Sequence, residues 1–233
     1  MSASAGKSAL LSDTPGWTRA GLTAVDTAAV DEVLSTTRAV RRRLDVNRPV
    51  EREVILECLR LAVQAPTASN SQKWRWLIVD DPDKRAAIAD IYRGCGEAYL
   101  AHAARTTEDP QTRRVYESAH ALSATLARVP VHVIPCIEGR LDNSPLPVAA
   151  AAWASIIPAA WSFMLALRAR GLGSVWTTLH LVKADEVADL LGIPDGVTQA
   201  ALLPVAYTLG TDFKPAVRPP VETITSWNTW DAQ

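Results

Sequence analysis

Ala65-Pro66-Thr67-Ala68-Ser69-Asn70-Ser71-Gln72-Lys73-Trp74 is a polar loop that ends on a tryptophan, with a different kind of element on each side. Before it, Pro49 starts a helix running from Val50 to Gln64, with Val54, Leu56, Leu59, Leu61 and Val63 among its apolar residues. After it, Trp74-Arg75-Trp76-Leu77-Ile78-Val79 is a short strand, halted by Asp80-Asp81-Pro82. Taken alone the loop is a helix-to-strand turn, where Pro, Ser and Asn are common. Its Ser, Asn and Gln side chains also suit the polar edges of a heteroaromatic ring.

Upstream, Thr36-Thr37-Arg38-Ala39-Val40-Arg41-Arg42-Arg43 concentrates four guanidinium groups. Asp26 caps a helix through Val30, Val33 and Leu34 that ends near this cluster. Two readings stand. The arginines form a basic helix end facing the carbonyl end of the dipole, or they hold an anion, for which the planar guanidinium fork and a phosphate monoester are a good match.

Downstream, Asp83 to Tyr92 and Glu97 to Arg128 read as helices, with a break around Gly94-Cys95-Gly96. Val131 to Ile137 is a second strand, Gly173 to Thr178 a third and Ala200 to Leu209 a fourth. A short helix, Ala184 to Leu191, is closed by Gly192-Ile193-Pro194, and the tail from Thr211 is Pro-rich and extended. That tail carries a second basic patch, Lys214-Pro215-Ala216-Val217-Arg218. Without repeats or an interdomain linker, the expectation is one α+β domain over residues 25–233, preceded by a mobile or wrapping arm, 1–24. The irregular order of helices and strands argues against a doubly wound fold.

Of the 233 residues 48% are hydrophobic and 21% charged, and the net charge of -1 argues against a broadly cationic nucleic-acid binder. Cys58, Cys95 and Cys136 are odd in number and widely spaced, which argues for a reducing compartment. The first residues lack the order of a secretory signal, so a cytoplasmic location is expected. Val148 to Leu167 has twenty uncharged residues, long enough to span a membrane. Eight of them are Ala and Pro158 stands mid-way, so a helix buried between subunits is the expectation instead.

Several chemistries are set aside. Gly171-Leu172-Gly173-Ser174-Val175-Trp176 lacks the last glycine of a dinucleotide fingerprint and precedes a strand instead of following one. There is no phosphate-binding GxxxxGK[ST] loop and no G-x-S-x-G elbow. His102, His120, His132 and His180 make no metal-ligand pair, and His132, in an apolar strand, reads as a core histidine.

In this order the elements resemble the FMN-dependent nitroreductase family. Thr37-Arg38-Ala39-Val40-Arg41-Arg42 stands where that family has an R-R-S-x-R-like element, and Ala65 to Trp74 is similar to its A-P-S-x-x-N-x-Q-P-W loop. Gly171 to Trp176 resembles its G-L-G-S-x-W strand start, and Leu191-Gly192-Ile193-Pro194 and Arg218-Pro219-Pro220 follow in order. Thr37 and Ala39 depart from the phosphate element, and Lys73 replaces the Pro before Trp74.

The resemblance implies a mixed sheet flanked by helices in an intertwined homodimer, with FMN at the subunit interface. Arg38, Arg41, Arg42 and Arg218, with Lys214 nearby, would meet the FMN phosphate. Ser69, Asn70 and Gln72 would contact the ring or ribityl chain, Pro158 and Ala159 would pass near the ring, and Gly173 and Ser174 would offer backbone groups. The implied reaction is hydride transfer from NADH or NADPH through the flavin to a nitroaromatic or quinone, with ping-pong kinetics and no side-chain acid, base or nucleophile. A flavin carrier or sensor without efficient turnover would use the same motifs. An anion-binding module built on Arg41 to Arg43 would leave the Ser-Asn-Gln loop without a role.

Overall fold

A computed structural model describes residues 25–230, so the expected arm, 1–24, lies outside the described residues. The first helix, α1 (Thr27–Thr36), begins where Asp26 Oδ1 accepts from the amides of Ala28 and Ala29 at 3.0 and 3.2 Å. It stops before the arginines. Arg38 to Arg43 follow in extended and turn conformation, so the reading of a basic helix end is corrected: no basic residue lies in the last turn of α1. The second helix, α2 (Arg52–Ala62), buries Ile55, Cys58 and Ala62, one stripe at helical spacing.

The sheet is antiparallel, in the order β1 (Trp74–Val79), β2 (Val131–Glu138), β5 (Leu203–Tyr207), β3 (Leu172–Ser174), with β4 (Val197–Gln199) pairing the far end of β2. The expected fourth strand, Ala200 to Leu209, is shorter, Leu203–Tyr207, and β4 lies just before its expected start. Leu203 pairs with Val133 and Gln199 with Cys136, so three residues on one side oppose two on the other, a bulge. Pro135 sits in that gap and has no amide to donate; its carbonyl accepts from Ala200 instead, while Leu202 exchanges both hydrogen bonds with Thr177. The third strand is likewise shorter than Gly173 to Thr178, because after Ser174 only the isolated Thr177 bridge remains.

Helices cover both faces. Val131 and Val133 of β2 point to α2 and to α5 (Leu146–Arg168), where Phe163 and Leu167 are fully buried. Ile134 and Cys136, two residues on, point to the opposite face, against Ile88, Ala89 and Tyr92 of α3 (Pro82–Thr106) and Leu122 of α4 (Pro110–Thr125). The α6 helix (Ala184–Leu191) adds Val187 to that second layer. Among the described residues α5 is the one helix long and apolar enough to cross a membrane, and its Ile156, Ala159, Ala160, Phe163 and Leu167 pack into this core.

The expected break at Gly94-Cys95-Gly96 is absent, and α3 runs through it. Gly96 makes a close helix–turn contact: a Cβ there would stand 2.4 Å from Cδ1 of Leu179, on the neighbouring 3-10 turn Leu179–Lys183, and that side chain would have to shift. The real break lies between Thr107 and Asp109. Asp109 accepts from the Thr112 amide at 2.6 Å and Pro110 opens α4, the same start that Asp81 and Pro82 give to α3.

Beyond β5 the chain leaves the core. Arg43 Nε donates to the Leu209 carbonyl at 2.8 Å, and the guanidiniums of Arg43 and Arg168 lie 4.4 and 5.2 Å from the Phe213 ring, pinning the start of the tail. Further on, Trp227 and Trp230 are exposed.

Candidate functional site

The segment Arg38 to Arg43 wraps the β3 edge of the sheet. Ala39 bridges Ser174 in parallel, the Val40 amide donates to the Ser174 carbonyl at 2.9 Å, and Leu44 bridges Thr208. Val40 and Leu44 are buried anchors, so the arginines between and beside them project from a fixed backbone. They line a cavity of about 1060 Å³ with three further walls. One is the tail from Asp212 to Arg218, one is α4 through Gln111, Arg114, Val115 and Ser118, and the floor is Trp161 and Met164 of α5 with Trp176.

The electrostatics are one-sided. Arg43 forms an ion pair with Asp212, the one carboxylate in the cavity lining. Arg38, Arg41, Arg42, Arg114, Lys214 and Arg218 have no carboxylate within ion-pairing distance among the described residues. Arg38 Nη1 donates to the Lys214 carbonyl at 3.0 Å, tying the tail to the arginine segment, and Arg41 Nη1 donates to Ser118 Oγ at 3.3 Å, reaching α4. Burial lowers the Arg41 pKa from its ordinary value, and the field of Tyr92 only partly opposes this. Arg114 lies in the field of Asp109 and Lys214 in that of Asp212; the remaining cations repel one another, and a bound anion relieves that repulsion.

Of the residues expected at the site, Arg38, Arg41, Arg42, Lys214 and Arg218 meet in this cavity. Gly173 and Ser174 do not line it. They are buried in β3 directly behind it, and a Cβ on Gly173 would meet Val40 Cβ at 2.9 Å and Thr208 Cγ2 at 2.7 Å. The glycine is thus required by the close approach of the arginine segment. Pro158 is half-buried on α5 one turn before Trp161, while Ala159 faces the core. Arg114, Gln111 and Ser118 were not expected from the sequence; their signal was a polar stripe at helical spacing on α4.

Ser69, Asn70 and Gln72 lie outside the cavity, on an exposed loop. Ser155 Oγ, buried on α5, accepts from the Ala68 amide at 3.0 Å and donates to the Ala151 carbonyl at 2.8 Å, which docks the loop on the first half of that helix. All three residues have left-handed φ, at 52°, 51° and 49°, and Gln72 Nε2 donates to Asn70 Oδ1 at 3.0 Å. Such backbone costs about 1–3 kcal/mol per residue and persists where surrounding structure enforces it.

The nitroreductase family model matches residues 34–207, and the chain belongs to the nitroreductase family. It is 26% identical over 212 residues to an NADH dehydrogenase of Thermus thermophilus, covering 84% of this chain and 97% of that one. It is 30% identical over 136 residues to a 5,6-dimethylbenzimidazole synthase of Rhodospirillum rubrum, covering 56% of this chain and 61% of that relative's length. In fold it is similar to oxidised iodotyrosine deiodinase solved with FMN and 3-iodo-L-tyrosine, with a TM-score of 0.65 at 24% identity over 85% of this chain and 98% of the other. One family thus holds members with different reactions.

Proposed function

We propose that this chain is an FMN-dependent oxidoreductase that passes a hydride from NAD(P)H to a nitroaromatic or quinone-type acceptor by a ping-pong mechanism. It would act as a cytoplasmic homodimer, each copy contributing one domain over residues 25–233. The observation that carries this reading is the cavity itself, with unpaired cations around one part and a tryptophan floor beside them. These residues fit FMN. Arg38, Arg41, Arg42 and Arg218, with Lys214, would hold the phosphate through charge-assisted hydrogen bonds, and Trp161 and Trp176 would border the ring. When bound, FMN supplies the two-electron hydride chemistry that no side chain here offers.

The protein's own part is to bind, orient and shield. Gly173 and Ser174 fix the arginine segment against the sheet, so the guanidiniums are positioned before any ligand arrives. Ser69, Asn70 and Gln72 present polar groups from a loop outside their own chain's cavity. We assign them to the ring edges or ribityl chain of the flavin held by the second copy. The loop's docking point at Ser155 and the cavity floor at Trp161 are six residues apart on α5, about 9 Å along the axis.

The test is the visible spectrum of the purified protein, followed by anaerobic addition of NADPH and then NADH. Flavin bands that bleach and return when a nitroaromatic or quinone is added support the proposal. Flavin that stays oxidised under both donors overturns the enzyme reading in favour of a carrier or sensor. Protein that carries no flavin and binds no added FMN overturns both.

A further inference from the structure

We infer that Arg114, with Gln111 one turn before it on α4, forms a second anion subsite that holds a phosphate of the nicotinamide dinucleotide donor, apart from the arginines that serve FMN. This rests on the flavin-enzyme reading above.

Charge, placement and size argue for it. Once Asp212 is paired with Arg43, six cations remain around the cavity, of which Arg114 is partly offset by the nearby Asp109 carboxylate. A phosphate monoester brings only about 1.5 to 2 negative charges near neutral pH. One FMN phosphate therefore leaves positive charge around the cavity that a second anionic group can meet.

The cations also fall into two groups. Arg38, Arg41 and Arg42 share one short segment, and the tail cations Lys214 and Arg218 are tied to it by the Arg38 bond to the Lys214 carbonyl. Arg114 stands apart, on α4. It lies on the same helical stripe as Ser118, whose Oγ receives Arg41, and has no bond to the segment or to the tail. At about 1060 Å³ the cavity stands at the upper end of the roughly 300–1,000 Å³ of ligand pockets, in keeping with an extended or composite occupant.

The donor's phosphates also need a reader. The chain has no glycine-rich fingerprint that would offer a helix N-terminus to a pyrophosphate, so side chains must do it. An exposed Arg with Gln at i−3 presents guanidinium and amide donors on one helix face, a suitable pair for phosphate oxygens.

The experiment measures the reductive half-reaction by anaerobic stopped flow for wild type, Arg114→Ala and Arg114→Lys. The donors are NADPH, NADH and the phosphate-free dihydronicotinamide riboside. Arg114→Ala should raise the apparent Kd for the dinucleotide by roughly tenfold, the scale of one charge-assisted hydrogen bond. FMN content, the limiting rate and the Kd for the riboside should be unchanged, and Arg114→Lys should restore part of the affinity. An effect confined to NADPH assigns the 2′-phosphate; an equal effect on NADPH and NADH assigns the pyrophosphate. Unchanged dinucleotide affinity with full FMN, an equal loss for all three donors, or loss of FMN itself would each overturn the subsite. If no donor reduces the wild-type flavin, the enzyme reading fails and the subsite with it; if wild type is reduced and Arg114→Ala behaves identically, the subsite alone fails.

Discussion

The amide of Val40 donates to the carbonyl of Ser174 at 2.9 Å, and on either side of this bond Arg38 and Arg41 turn into the cavity. A backbone contact at a sheet edge thus sets where the cationic groups stand. Gly173→Ala should disturb both fold and site, since its Cβ would overlap Val40 Cβ at 2.9 Å and Thr208 Cγ2 at 2.7 Å. Overpacking of this kind costs about 1–3 kcal/mol. Urea unfolding and flavin titration on one preparation should show stability and FMN affinity falling together. Unaltered FMN affinity in a destabilised protein would separate the strand edge from the site.

Removing a single cation should act differently. Arg218 is exposed, and its recorded bond is to the adjacent Val217 carbonyl at 3.2 Å, so Arg218→Ala should leave stability within about 0.5 kcal/mol. Arg38→Ala also releases the Lys214 carbonyl. Both should retain FMN roughly tenfold to a hundredfold less tightly. Flavin content after gel filtration reports this, and values equal to wild type in both variants would remove these residues from the phosphate site.

Ser155 holds the Ser69-to-Gln72 loop through the Ala68 amide. In Ser155→Ala that amide loses its partner at a part-buried position, which costs about 1–3 kcal/mol. Hydrogen exchange should show faster exchange at Ala68 to Gln72, with the arginine segment unaffected.

Acid should weaken the fold through two histidines. His132 and His180 are fully buried, and burial pushes each pKa from about 6.5 down to about 4. The unfolded chain binds these protons first, so the stability the neutral rings contribute is intact above pH 6.5 and is lost as pH falls toward 4. Each contributes on the order of 3 kcal/mol over that window. His132 Nε2 donates to the Leu126 carbonyl at 2.9 Å, whereas neither ring nitrogen of His180 has a partner among the described residues. His180→Leu should therefore raise stability at neutral pH and flatten the loss between pH 6.5 and 4, as urea titrations across that range would show. An unchanged pH profile would exclude His180 as a source of the acid sensitivity.

Local chemistry explains which parts of this were legible in sequence. Trp74–Val79 and Ala184–Leu191 have the expected bounds because turn residues and a left-handed Gly192, at φ 69°, close them. Asp81-Pro82 signals a boundary and so does the same pair at Asp109-Pro110, whereas Gly94 and Gly96 look like breakers and break nothing. A glycine at a helix–turn contact and a glycine at a helix end look alike until Leu179 is in place. The late start of the last strand, at Leu203 and not Ala200, is hidden for a similar reason, since the bulge before it lies opposite Pro135 of a different strand. The arginine segment was legible because its charges are contiguous. Arg114 was not, because only the tertiary fold brings α4 beside residues more than seventy positions earlier.

The two indoles near the end of the tail, Trp227 and Trp230, are 76% and 90% exposed, whereas Trp76 stacks at 5.5 Å from Phe163 inside the protein. Intrinsic emission from this chain is therefore a mixture of solvated and enclosed fluorophores. The solvated share belongs to the tail, whose residues from 217 to 230 are exposed. Whatever comes to cover the tail will shift that share toward the blue, so the chain carries its own optical gauge of association.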